Sequence, residues 1–240
     1  MVSSLLSQTS QLRTLGQTAT PRVQASGFAP LDQALHEGGW PLGALTELLP
    51  RVPGAAEWSL LAPALRVQLQ QPCWLVLVTP PGLPHAPAWA AAGLPADRLL
   101  LVRPDNARDW LWSVDQAARA GQPVMAWPGR VGLDGKSLRR LQLAAEEGGN
   151  LLVLSRRPSQ AREASPAALR LQLEAAGAEL RLNILKQRSH WGGQSLSLPL
   201  PWPASPPPPL SSWMSAAERC DNAERPGNTV TLPVRRRQEG

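Results

Sequence analysis

Two rhythms of apolar and polar positions run along this chain. A-L-T-E-L-L (44–49), C-W-L-V-L-V (73–78), R-L-L-L-V (98–102), P-V-M-A-W (123–127) and L-L-V-L-S (151–155) are short, nearly continuous apolar runs. Runs of this kind predict strands buried on both faces. Helical spacing fills the intervals. Trp58, Leu61, Leu65 and Leu69 recur on one face up to about Gln70, and A-W-A-A-A-G-L predicts a short helix. Trp110, Val114 and Ala117 mark a helix capped by Asp105 and ending at Gly121. L-R-R-L-Q-L-A-A (138–145) marks another, closed by Gly148-Gly149. Upstream, L-D-Q-A-L (31–35) has helical spacing and G-G-W-P-L-G (38–43) is a turn cluster.

The second rhythm begins after Ala168. L-R-L-Q-L-E (169–174) and E-L-R-L-N-I-L-K (179–186) alternate strictly around a Gly-containing turn, which predicts an antiparallel hairpin. Residues 27–188 therefore read as a three-layer α/β domain with a mainly parallel central sheet and a C-terminal hairpin. Residues 1–26, rich in Ser, Thr and Gln with a weak helical pattern from Ser3 to Leu15, read as a flexible segment. Residues 189–240, with S-P-P-P-P at 205–209, read as a mobile, basic tail.

Composition adds a bias toward acidic partners. The chain has 240 residues, a net charge of +6, 10 Trp and no Tyr. Charge of this sign suits nucleic acid or an acidic protein face, and does not choose between them. Arg139-Arg140, Arg156-Arg157 and Arg235-Arg236-Arg237 raise the charge without marking a core site. No signal-peptide pattern follows Met1 and no run approaches membrane-spanning length, so a cytoplasmic protein without membrane contact is expected. Cys73 reads as a small core residue; two cysteines do not make a disulfide framework.

Candidate chemistry centres on L-P-R-V-P-G-A-A-E-W-S-L (49–60), a loop between strand and helix. A phosphate-binding loop there needs consecutive backbone N–H donors, a Lys for the β/γ-phosphates and a hydroxyl for magnesium. Pro50 and Pro53 each lack an N–H, and Ala55, Ala56 and Glu57 stand around Gly54 where Lys and Ser/Thr are needed. Glu57 sets a carboxylate at the helix start, where phosphate would sit and where it stabilises the helix dipole. The fourth strand ends in Trp127-Pro128 instead of a magnesium-holding Asp, and Thr79-Pro80 follows the second strand in place of a water-activating carboxylate. No cofactor, catalytic residue or metal ligand is therefore expected. G-R-V-G-L-D-G-K-S (129–137) holds a second Gly-Lys-Ser, but Arg130 occupies the first Gly position. Its bland reading is a solvated turn with Asp134 or Ser137 capping the next helix.

L-D-x-x-L-x-x-G-G-W-P-x-G-x-L-T-E-L-L (31–49), followed by L-R-R-L-Q-L-A-A and S-P-A-A-L-R-L-Q-L, resembles the RecA-like ImuA family, which is related to the SulA cell-division inhibitors. The match runs from about Phe28 to Arg188. Segment 31–49 also looks like the entry to the ATP-binding core of RecA, with Gly43 and Glu47 in place and a degenerate loop after them. The resemblance implies a RecA-like fold without ATPase machinery, used as an adaptor in the SOS response to DNA damage. Partners implied are an ImuB-type Y-family polymerase homologue, RecA and an error-prone replicative-type polymerase, acting in translesion synthesis and mutagenesis. Two alternatives stand beside it: a SulA-like division inhibitor that binds FtsZ, and a nucleotide-binding enzyme using loop 129–137.

Other candidates are weighed against structural roles. His36, His85 and His190 are dispersed, without metal-ligand spacing. Trp58, Trp74, Trp110 and Trp127 fall within predicted elements and are expected to be buried; Trp40 is ambiguous. In the tail, Leu210, Trp213 and Met214 form an apolar cluster that either docks on a partner as a short helix or stays solvated. Arg235, Arg236 and Arg237 either touch DNA phosphates or keep the tail soluble.

Overall fold

The computed structural model describes residues 22–54, 56–176, 178–188 and 190–199. Continuous apolar runs make the middle of one eight-stranded sheet. Its strands are β3 (Ala44–Pro50), β4 (Leu75–Val78), β5 (Leu99–Val102), β6 (Val124–Ala126), β7 (Leu151–Ser155), β8 (Leu169–Ala176), β9 (Glu179–Gln187) and β10 (His190–Pro199). The spatial order is β10-β9-β8-β3-β7-β6-β4-β5. All pairings from β8 through β3 to β5 are parallel; β8–β9 and β9–β10 are antiparallel. A separate two-stranded ribbon joins β1 (Val23–Gln24) to β2 (Trp40–Pro41).

Parallel neighbours require crossovers, and here helices cover both faces of the parallel part. One core packs Leu60, Leu61 and Leu65 of α2 (Ala56–Gln68) with Leu31 of α1 (Ala29–Ala34) and Trp89 of α3 (Ala86–Ala91), against Leu48, Leu77, Met125 and Val153 of the sheet. The opposite core packs Trp110 and Val114 of α4 (Ala107–Arg119) and Leu138 and Leu141 of α5 (Gly135–Gly148) against Leu45, Val76, Ala126 and Leu154. Successive strand residues point to opposite faces, so the two sets alternate along each strand. The result is a mixed three-layer α/β architecture.

The hairpin expectation is met and extended. β8 is itself a parallel neighbour of β3, with Glu47 opposite Arg170, and turns antiparallel only with β9. The domain end expected at residue 188 is corrected: β10 pairs along β9 up to Pro199 against Glu179. Leu198 is buried and Leu196 packs on the same core, so a short S-L-S-L alternation holds the strand in place despite Gly192-Gly193. At the other end, Val23–Gln24 already forms a strand and Ser26 is buried, so ordered structure starts before residue 27. The Ser3–Leu15 pattern, Leu210, Trp213, Met214 and Arg235–Arg237 lie outside the described residues.

Local expectations change at Asp105 and Trp74 and hold at both ends of α5. Asn106, not Asp105, caps α4, its side chain accepting the Asp109 N–H. Asp134 caps α5, accepting the Ser137 N–H at 2.8 Å, and Gly149 closes it with a left-handed φ of 67°. Trp74 is 46% exposed, because β4 begins one residue later; its backbone N–H is held by Gln122. Cys73 precedes that strand, half-buried, and burial pushes its thiol pKa up despite nearby Arg98. Trp40 is fully buried. No helix among the described residues is long and apolar enough to cross a membrane.

Candidate functional site

In open parallel sheets ligands settle beyond the carboxyl ends of the strands. At that end of this sheet the chain passes from β3 through residues 51–55 into α2. Gly54 sits at a left-handed φ of 92°, and a side chain there would meet Pro81 in the loop after β4. Gly is therefore required for the path of the loop at this point.

An internal carboxylate fills the place. Glu57, in the first turn of α2, is fully buried. Its Oε2 accepts the Gly54 N–H at 2.9 Å; its Oε1 accepts the same N–H at 3.0 Å, the Ser155 hydroxyl at 2.8 Å and the Trp127 indole N–H at 3.2 Å. Period-two alternation explains the convergence. Ser155 follows Val153, and Trp127 follows Met125, on the α2 face of the sheet. A backbone amide, a hydroxyl and an indole N–H all converge on one carboxyl group, which belongs to the protein. A triphosphate would have to displace a buried carboxyl group here, and among the described residues no lysine or arginine bonds to that group. Ala56, also in the first turn, is buried apolar surface.

Tryptophans wall the site. Trp58 meets Trp127 at a ring separation of 5.4 Å and Trp89 edge-on at 4.9 Å. Trp127 is anchored from the other face, its carbonyl accepting the Trp110 indole N–H at 3.1 Å. Beside them Thr79 has a φ of 52° and a buried hydroxyl without a hydrogen-bond partner. A β-branched residue in that region is strained. It stands where the sequence lacks a carboxylate after β4.

Glu47 has a different role from the one its sequence position suggests. It is fully buried in mid-β3 on the opposite face, where Oε1 accepts Arg156 at 3.1 Å and Ser165 at 2.7 Å, and Oε2 accepts Arg170 at 2.7 Å. Arg170 also donates to the Gln160, Ala161 and Glu163 carbonyls, and Arg156 reaches Glu163. Lys186 donates to the Ser165 carbonyl; burial and the nearby Arg170 charge push its ammonium pKa down. This cluster pins the β7–β8 crossover to the sheet. It is the part of the molecule that sequence reasoning missed, its only signal being polar residues inside apolar runs.

The second Gly-Lys-Ser stands at a helix start. Lys136 and Ser137 lie in the first turn of α5, where the Asp134 carboxylate holds the Ser137 amide. The Lys136 side chain is exposed. Among the described residues, no group of three His, Cys, Asp or Glu is placed to hold a metal ion.

Neither protein-family models nor curated protein sequences give a match to this chain.

Proposed function

We propose that this protein is a RecA-like, catalytically silent adaptor, which recruits partners for error-prone translesion synthesis in the cytoplasm after DNA damage. The observation that supports a silent core is the Glu57 carboxylate, which takes up the Gly54, Ser155 and Trp127 donors at the strand ends. Phosphate groups bind where such donors are free and cations gather; here the donors are occupied by the Glu57 side chain. The parallel sheet entered through residues 31–49 supports the RecA-like reading, and the same segment carries the ImuA resemblance. From that resemblance come the partners: an ImuB-type Y-family polymerase homologue, RecA and an error-prone replicative-type polymerase.

Capture on the immobilised full chain tests the recruiting role. An ImuB-type homologue and RecA are offered separately, beside FtsZ. Retention of the polymerase homologue or RecA is expected. Retention of FtsZ alone, with slowed FtsZ assembly, would replace the adaptor by a division inhibitor.

A further inference from the structure

The outer surface of α4 and α5 carries a feature that neither the plugged loop nor the adaptor reading uses. Both helices start at the carboxyl end of the sheet and run side by side. Asp115 of α4 accepts Arg140 of α5 at 2.9 Å, which fixes their relative level. Trp112 lies three residues before Asp115, and Lys136 lies four before Arg140. With a rise of about 1.5 Å per residue, the two side chains stand at nearly the same height on either side of the helix pair. Arg108 is one turn from Trp112 on the same α4 face. Arg130 and Arg157 extend this edge on the adjoining loops, tied together where Arg157 donates to the Gly129 carbonyl at 3.2 Å.

The charges and the indole are accessible. Arg108, Arg130, Lys136 and Arg157 are exposed, and none forms an ion pair among the described residues. Trp112 is 48% exposed, in a molecule whose Trp40, Trp110 and Trp127 are buried. Carboxylates at this end include Asp105, Asp109, Asp134 and Glu163; Asp109 is bonded to Asn106, Asp134 to the α5 cap and Glu163 to Arg156. Asp97, Glu146 and Glu147 lie at the opposite, amino end of the sheet, where Arg98 and Arg119 stand beside them.

An acidic peptide would answer the cations but make little use of a lone flat indole between them. A single strand of nucleic acid answers both, with phosphates on guanidinium and ammonium groups and a base stacked on tryptophan. We infer that the α4–α5 face, through Arg108, Trp112, Arg130, Lys136 and Arg157, binds single-stranded nucleic acid by its backbone and one stacked base, without sequence preference. This inference stands on the surface itself, and holds whether or not the adaptor reading does.

Fluorescence anisotropy of a labelled oligothymidylate of about 20 nucleotides, longer than one stacking-platform site, tests it on the full chain. Wild type binds, with affinity falling as salt rises. Arg108→Ala with Lys136→Ala weakens binding and flattens the log–log salt slope by roughly 0.7 per lost phosphate contact. Trp112→Ala weakens binding roughly tenfold with the salt slope unchanged, and Trp112→Phe restores most of it. Circular dichroism of each variant matches wild type, since these side chains are exposed. Failure of wild type to bind overturns the inference. So does binding that only Arg235→Ala, Arg236→Ala and Arg237→Ala abolish, and so does capture of polyglutamate in preference to the oligonucleotide.

Discussion

The Trp127 indole donates to the Glu57 carboxylate at 3.2 Å, joining the end of β6 to the first turn of α2 across 70 residues of sequence. Through this bond and those from Gly54 and Ser155, the strand ends are closed over a side chain of the protein itself. In the proposed reading, the same donors that stabilise α2 keep phosphate from binding there.

Glu57→Ala leaves the Gly54 amide, the Ser155 hydroxyl and the Trp127 indole without their buried acceptor. Each orphaned group costs about 1–3 kcal/mol, and partial relaxation brings the expected loss to about 2–4 kcal/mol. Glu57→Gln, with one acceptor oxygen and no charge, is milder. Urea denaturation followed by tryptophan fluorescence measures both; an unchanged midpoint for Glu57→Ala would mean that the carboxylate holds nothing.

Glu47→Ala leaves Arg156 and Arg170 buried without their shared counterion. Breaking a buried pair from one side costs about 3–5 kcal/mol, so the variant is expected to be poorly folded. Replacing Glu47, Arg156 and Arg170 together by apolar residues of similar size is expected to recover much of the loss. Thermal melts of the single and triple variants compare them; a triple variant no better than the single one contradicts the assignment.

Thr79→Gly relieves a left-handed backbone that costs a side-chain-bearing residue roughly 1–2 kcal/mol, against roughly 0.5–1 kcal/mol of extra chain entropy. A gain of a few tenths to about 1 kcal/mol is expected. A lower urea midpoint would show that the Thr79 side chain supports the site instead.

Asp115 links α4 to α5 through Arg140 and pairs within α4 with Arg119. Burial pushes its carboxyl pKa up, but the hydrogen bonds and charges of Arg140 and Arg119 outweigh this and leave it below the ordinary 3.8. A depressed folded value means that its stabilisation is complete above the unfolded pKa and is lost as pH falls through the folded one. Urea midpoints measured from neutral pH down to about pH 3 should fall more steeply for wild type than for Asp115→Asn. Parallel curves would remove Asp115 from the acid response.

The parallel strands were legible because burial on both faces leaves an uninterrupted apolar run, as in Leu75–Val78 and Leu151–Ser155. β10 was not, since Gly192-Gly193 and the Ser residues hide an alternation carried by only Leu196 and Leu198. Glu57 could be placed at a helix start from its neighbours, but Ser155 and Trp127 reach it from 98 and 70 residues away, a pairing only strand order creates. Trp74 misled for a local reason: the apolar run reads one residue longer than the strand, and the extra residue faces solvent. Trp112 went unnoticed because a helix with Trp110 and Val114 inside looks complete without it.

Titration calorimetry of the full chain with ATP and magnesium tests the central claim most directly. The plugged loop predicts no saturable heat, for wild type and for Lys136→Ala alike. A saturable isotherm on the order of micromolar affinity would contradict it, because a triphosphate would then have displaced Glu57 or found the donors that this scaffold lacks.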